Sequence, residues 1–175
     1  QSNLSTGLYT ATSSNNTINN NAVTGSGAIG IWITTNSNLN TINDNNIQSN
    51  TSAGITISSS INNTISDNNV QGNGSHGIDI SSSNSNIVSA NRIHNSGGSG
   101  SDNGILITSS NNSVTGNYIT DTAGTGFAIY ILSGTGNYLA DNTFSGTGAS
   151  SINNNGTNTV LAGQTTSASS DFRFR

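Results

Sequence analysis

The chain has 175 residues, 30% of them hydrophobic and only 6% charged, with a formal net charge of −4. That length accommodates a single domain. Its three basic residues, Arg92, Arg173 and Arg175, cannot build the phosphate-neutralising surface that nucleic acid requires or the basic face of a peripheral membrane protein, and no apolar run nears the ~20 residues of a membrane span.

Cysteine is absent, which excludes disulfides and thiolate metal sites. Disorder usually joins low hydrophobicity to high charge, Pro, Lys and Glu. Here Pro is missing, and neither Lys nor Glu occurs. The bulk is Asn, Ser, Thr and Gly with Ile at regular intervals, a composition suited to a thin, repetitive β structure. Heavy Asn, Ser and Thr use without Lys or Glu fits an extracellular or cell-surface protein.

Taken in order, the chain repeats two blocks. The first reads Gly-Ile-x-Ile or a variant and begins at Gly7, Gly30, Gly54, Gly77 and Gly104, then in degenerate form at Ala128. The second reads aliphatic-x-x-Asn-x-apolar. It holds at Ile18/Asn21/Val23, Ile42/Asn45/Ile47, Ile65/Asn68/Val70, Val88/Asn91/Ile93, Val114/Asn117/Ile119 and Leu139/Asn142/Phe144. The period is roughly 23–27 residues, a solenoid spacing.

Alternation in Ile31-Trp32-Ile33, Ile55-Thr56-Ile57, Ile78-Asp79-Ile80 and Ile105-Leu106-Ile107 predicts strands. Ile points inward, and Trp32, Thr56, Asp79 and Leu106 point outward. The Ser and Thr runs that follow are turn chemistry. Three short strands per repeat, each stacked on its equivalent in the next coil, predict an all-β parallel β-helix of about six to seven coils. It spans residues 1–163, with regular repeats over about 7–161. Residues 164–175 read as a Ser/Thr linker and then a strand or tail, Phe172-Arg173-Phe174-Arg175, able to pair with the edge of a neighbouring subunit.

The recurrent Asn21, Asn45, Asn68, Asn91, Asn117 and Asn142 predict a ladder, because stacked amides donate and accept along one column. Asn also tolerates the left-handed backbone of a tight corner. Asp44 and Asp67 each precede a ladder Asn. One coil apart, their carboxylates would lie ~5 Å from each other, near the separation in a retaining glycosidase. Asp is equally a corner residue, neither has a basic partner, and weak Ca²⁺ binding is a further option. A second candidate group lies in the fourth coil: His76, outward Asp79, then Arg92 and His94 leading into the Gly/Ser-rich stretch that holds Asp102. Trp32, beside Tyr9 in the adjacent coil, is a candidate platform for sugar stacking.

The pattern Ser60-Ile-Asn-Asn-Thr-Ile65 through Val70 resembles the parallel β-helix repeat of the NosD-like and carbohydrate-binding or sugar-hydrolase proteins. That resemblance implies a right-handed helix of three sheets and a bias toward extracellular carbohydrate or surface roles. Relatives include polysaccharide lyases and hydrolases, epimerases, tailspikes, adhesins and structural fibres. With no convincing catalytic constellation, the chain is expected not to be an enzyme and to need no metal or cofactor. The first expectation is an extracellular structural solenoid, a subunit or fragment of a surface fibre, adhesin or appendage that self-associates. The alternative is a carbohydrate-binding or polysaccharide-cleaving β-helix with glycans as partners.

Overall fold

A computed structural model describes residues 4–94, 96, 102–122, 125–146 and 151–166. Among these, the chain winds into a parallel β-helix with three sheets of seven strands, one strand of each sheet per coil. The first sheet stacks Leu8–Ala11, Ile31–Thr34, Ile55–Ser58, Ile78–Ser81, Ile105–Thr108, Ile129–Ser133 and Ile152–Asn154. The second and third sheets are built from shorter strands, such as Thr64–Ser66 and Asn69–Gln71 in the third coil. Thr165–Thr166 continues the third sheet by pairing with Thr143–Ser145. The proposed assembly strand Phe172–Arg175 lies outside the described residues.

Period-two alternation sets the core. Ile31, Ile33, Ile55, Ile57, Ile78, Ile80, Ile105 and Ile107 are all fully buried, and each stacks on the Ile of the next coil. β-Branched side chains suit this pleated, stacked surface. The glycine that opens each first-sheet strand is required by close approach. A Cβ on Gly54 would stand 2.8 Å from the Gly77 carbonyl oxygen and 2.5 Å from Val70.

The Asn ladder forms as expected. The Asn45 backbone N–H and Nδ2 both donate to Asn68 Oδ1 at 3.0 Å, and Asn68 repeats the pattern on Asn91. Spare Nδ2 valence goes to backbone carbonyls, for Asn68 those of Ile42 and Ser66. Asn142 ends the column on Gln164 Oε1 at 3.1 Å. A second ladder, missed in the sequence, runs parallel to it through Asn16, Asn40, Asn63, Asn86, Asn112 and Asn137. It turns the chain from the first sheet into the second. A shorter run, Ser26, Asn50 and Asn73, does the same between the third sheet and the first.

Each ladder residue follows one with positive φ. Asn20, Asp44, Asp67, Ala90, Gly116 and Asp141 precede the first ladder, and Asn15, Leu39, Asn62, Ser85, Asn111 and Gly136 precede the second. The left-handed residue swings the next side chain inward, where its amide meets its neighbours. Such a conformation costs an ordinary L-residue about 1–2 kcal/mol, and less for Asn, Asp or Gly.

Because Asn68 is buried and its Oδ1 takes two protons from Asn45, Asn68→Ala leaves a buried backbone N–H without a partner. It is expected to cost about 3 kcal/mol in urea unfolding. At the exposed end of the column, where water replaces the amide, Asn21→Ala is expected to cost under about 1 kcal/mol. Equal losses at the two sites would show that the ladder does not carry this stability.

Candidate functional site: the outer face of the first sheet

The two ladders and the core absorb most of the repeat, leaving the outward positions of the strands. On the first sheet these stack in register as Tyr9, Trp32, Thr56, Asp79, Leu106, Tyr130 and Asn153. Unlike the ladder columns, this one changes chemistry at every coil.

Its two ends carry aromatic pairs. Tyr9 and Trp32 meet edge to face with centroids 5.3 Å apart. Trp32 Nε1 donates to Ser58 Oγ at 2.9 Å, and Ser58 Oγ donates to Thr34 Oγ1 at 2.8 Å. The indole therefore reaches across to the next coil, where Thr56 is the register partner of Trp32. Thr56, outward by its strand position, is only 6% exposed. At the other end Tyr130 packs on Phe127 at 5.5 Å. Asn103 Oδ1 accepts the Phe127 N–H at 2.8 Å, and Asn155 Nδ2 donates to Tyr130 OH at 3.1 Å. Both platforms are tethered by side chains of neighbouring coils.

Asp79 stands between them, flanked by Thr56 and Leu106. Its Oδ1 is buried and has no hydrogen-bond partner among the described residues. Burial pushes its carboxyl up to about 6 from an ordinary 3.8, because the charged form is the costlier one to desolvate.

The remaining candidates fall into two separate pairs. His76 Nδ1 accepts the Asn103 N–H at 2.9 Å, with Asp102 Oδ1 at 3.9 Å. A nitrogen that accepts carries no proton, so His76 is neutral and this contact is not an ion pair. Burial lowers its pKa, and Asp102 only partly opposes the shift. Ser75 Oγ donates to Asp102 at 3.2 Å. His94 lies on the third sheet, with Nδ1 2.7 Å from Thr120 Oγ1 and 3.6 Å from Asp121 Oδ2. Beside it the Arg92 guanidinium sits 5.8 Å over the Tyr118 ring. The fourth-coil residues are thus divided between two sheets. Among the described residues no three His or Asp side chains converge as a metal site.

Asp44 and Asp67 occupy left-handed corners with φ of 55° and 57°, and Asp44 Oδ2 accepts from Asn43 Nδ2 at 2.7 Å. Their position is explained by the turn. Sequence reasoning identified Trp32 and Asp79 but not Phe127, Asn103 or Ser58. Phe127 was visible as an aromatic just before the degenerate Ala128 block.

A three-sheet parallel solenoid whose outward columns vary from coil to coil defines a β-helix protein that presents residues along its axis. The chain belongs to the right-handed β-helix family, whose model, "Right handed beta helix region", matches residues 6–167. No curated protein matches it. Among solved structures it is similar to the periplasmic alginate epimerase AlgG, with a TM-score of 0.76 and 16% identity over 93% of this chain and 44% of that one. Two mutant forms of that epimerase match at TM-scores of 0.68 and 0.69, with 15% and 14% identity. They are covered over 42% and 43% of their length, by 91% and 93% of this chain. The chain therefore spans under half the length of these structures, and at such identities the likeness is one of fold. It nevertheless corrects the expectation that the chain is not an enzyme, since these three similar structures are of an epimerase.

The raised pKa of Asp79 fixes the sign of a pH effect. The folded state binds the proton more tightly than the unfolded state, so stability is complete below about pH 4 and falls as pH rises through about 6. Asp79→Asn is expected to abolish that fall and to be more stable at pH 7 by up to about 3 kcal/mol. Urea unfolding at pH 4 and pH 7 checks this. An unchanged pH slope in the variant would assign the effect to other groups.

Proposed function

We propose that this protein is an exported, carbohydrate-active β-helix that holds a polysaccharide along the outer face of its first sheet. The observation that carries the reading is one column with tethered aromatic pairs at both ends and a partnerless, half-buried carboxylate between them. Aromatic rings present an electron-rich face on which the C–H face of a pyranose can rest. The ~4.8 Å spacing of the coils is close to the length of one sugar unit, so a glycan lying along the rod would meet one outward residue per coil. Trp32 and Tyr130 are four coils apart, about 19 Å, room for a short oligosaccharide.

Asp79 would be the group that exchanges a proton with the bound sugar. A carboxyl with a pKa near 6 is poised to act as acid or base near neutral pH. The alginate epimerase likeness supports a polysaccharide as the partner, and its periplasmic setting supports export. The alternative of a surface fibre gains nothing from that likeness.

The test is binding and turnover on a broad glycan panel. Trp32→Ala and Tyr130→Ala should each weaken binding about tenfold, the equivalent of one lost ring contact of ~1.4 kcal/mol. Asp79→Asn should keep binding and lose turnover. An absence of binding across the panel would reject the proposal.

A further inference from the structure

We infer that the glycan held on this face is neutral, not a polyuronate. The inference rests on the carbohydrate reading above and names its substrate class.

The argument is one of counter-charge. A polyuronate carries a carboxylate on every sugar, so a chain lying along the rod would set one negative charge beside each coil. A protein that binds such a chain needs cations in register with it. Among the described residues this face offers none. The chain has three basic residues in all. Arg92 lies on the third sheet over Tyr118, and Arg173 and Arg175 fall outside the described residues. His76, at the entrance to the first sheet, is held neutral by the backbone N–H it accepts. The one carboxyl in the column is that of Asp79, and Asp102 stands beside His76.

The chemistry agrees with the electrostatics. Removing the proton next to a uronate carboxylate places a second negative charge on that carboxylate. Catalysts stabilise it with a cation or preorganised donors aimed at the oxygens. Around Asp79 the register neighbours are Thr56 and Leu106, of which Thr56 is buried. Among the described residues no cationic donor is aimed at the column.

What the face does offer is suited to sugar hydroxyls. Next to the Asp79 column runs a second outward column in which Ser81 and Thr108 follow Ser58; the Ser58 hydroxyl is engaged by Trp32 and Thr34, and those of Ser81 and Thr108 can donate and accept. Asp79 Oδ1 is buried and has no partner among the described residues, so little water reaches this carboxyl to screen a second negative charge. Its desolvated carboxyl is better satisfied by a neutral donor than by another anion.

Affinity electrophoresis of the 175-residue chain separates the outcomes. The neutral probes are soluble glucan, mannan and xylan, and the acidic probes are alginate and polygalacturonate, each at low salt with and without added calcium. Retardation by at least one neutral polymer is expected, weakened about tenfold in Trp32→Ala, with no retardation by either polyuronate. Retardation by a polyuronate, lost in Trp32→Ala, would overturn the inference while upholding the carbohydrate reading. Retardation by none of the five would reject that reading and this inference with it.

Discussion

Each corner Asn must accept from the coil before it and donate to the coil after it, and this two-way demand governs the structure. Asn68 accepts two hydrogen bonds from Asn45 and donates two to Asn91. A carboxylate could accept but not donate, and a lysine could donate but not accept. Proline would remove the backbone N–H that the column also consumes. The same demand requires the preceding residue to turn left-handed, which favours Asn, Asp and Gly. The residue types that dominate the composition are therefore those the corners select.

In-register stacking also explains the scarcity of charge. Equivalent positions in successive coils lie ~4.8 Å apart, so a charge repeated at one position would face its own copy, which is destabilising. Charged residues accordingly stand alone in their sheet columns. Asp79 sits between Thr56 and Leu106, and Arg92 sits between Asn69 and Tyr118. Asp44 and Asp67 are successive members of one column, but they lie at an exposed corner, where water screens them. Against this background the buried carboxyl of Asp79 is an anomaly that packing does not explain. Groups that carry such a cost without a structural partner are candidates for function.

The fold was legible because its signal is repeated. The Gly-Ile-x-Ile blocks became the first-sheet strands, and the aliphatic-x-x-Asn-x-apolar blocks became the second and third sheets with their ladder. The second ladder escaped because the spacing was counted forward from each aliphatic residue, whereas Asn16, Asn40, Asn63, Asn86, Asn112 and Asn137 lie two residues before it. The full repeat reads Asn-x-aliphatic-x-x-Asn-x-apolar. The site was less legible because its contacts join different coils. The Trp32–Ser58 bond spans 26 residues and the Asn103–His76 bond spans 27. No short-range pattern encodes the pairing of His76 with Asp102 or of His94 with Asp121.

That geometry also explains why the sequence shows no convincing catalytic constellation. A globular enzyme gathers its groups in a cleft, often from loops close to one another in space. A solenoid offers a line, with one outward side chain per sheet position per coil, and a polymer substrate is also a line. The matching unit is then the column. Its chemistry is spread over Tyr9, Trp32, Asp79 and Tyr130, more than 120 residues of sequence in which the intervening positions serve the stack. Asp79 needs no acidic or basic neighbour to be perturbed, since desolvation alone moves its pKa. A column that breaks the repeat while the ladders around it keep theirs is free of the two-way demand that fixes the corner residues.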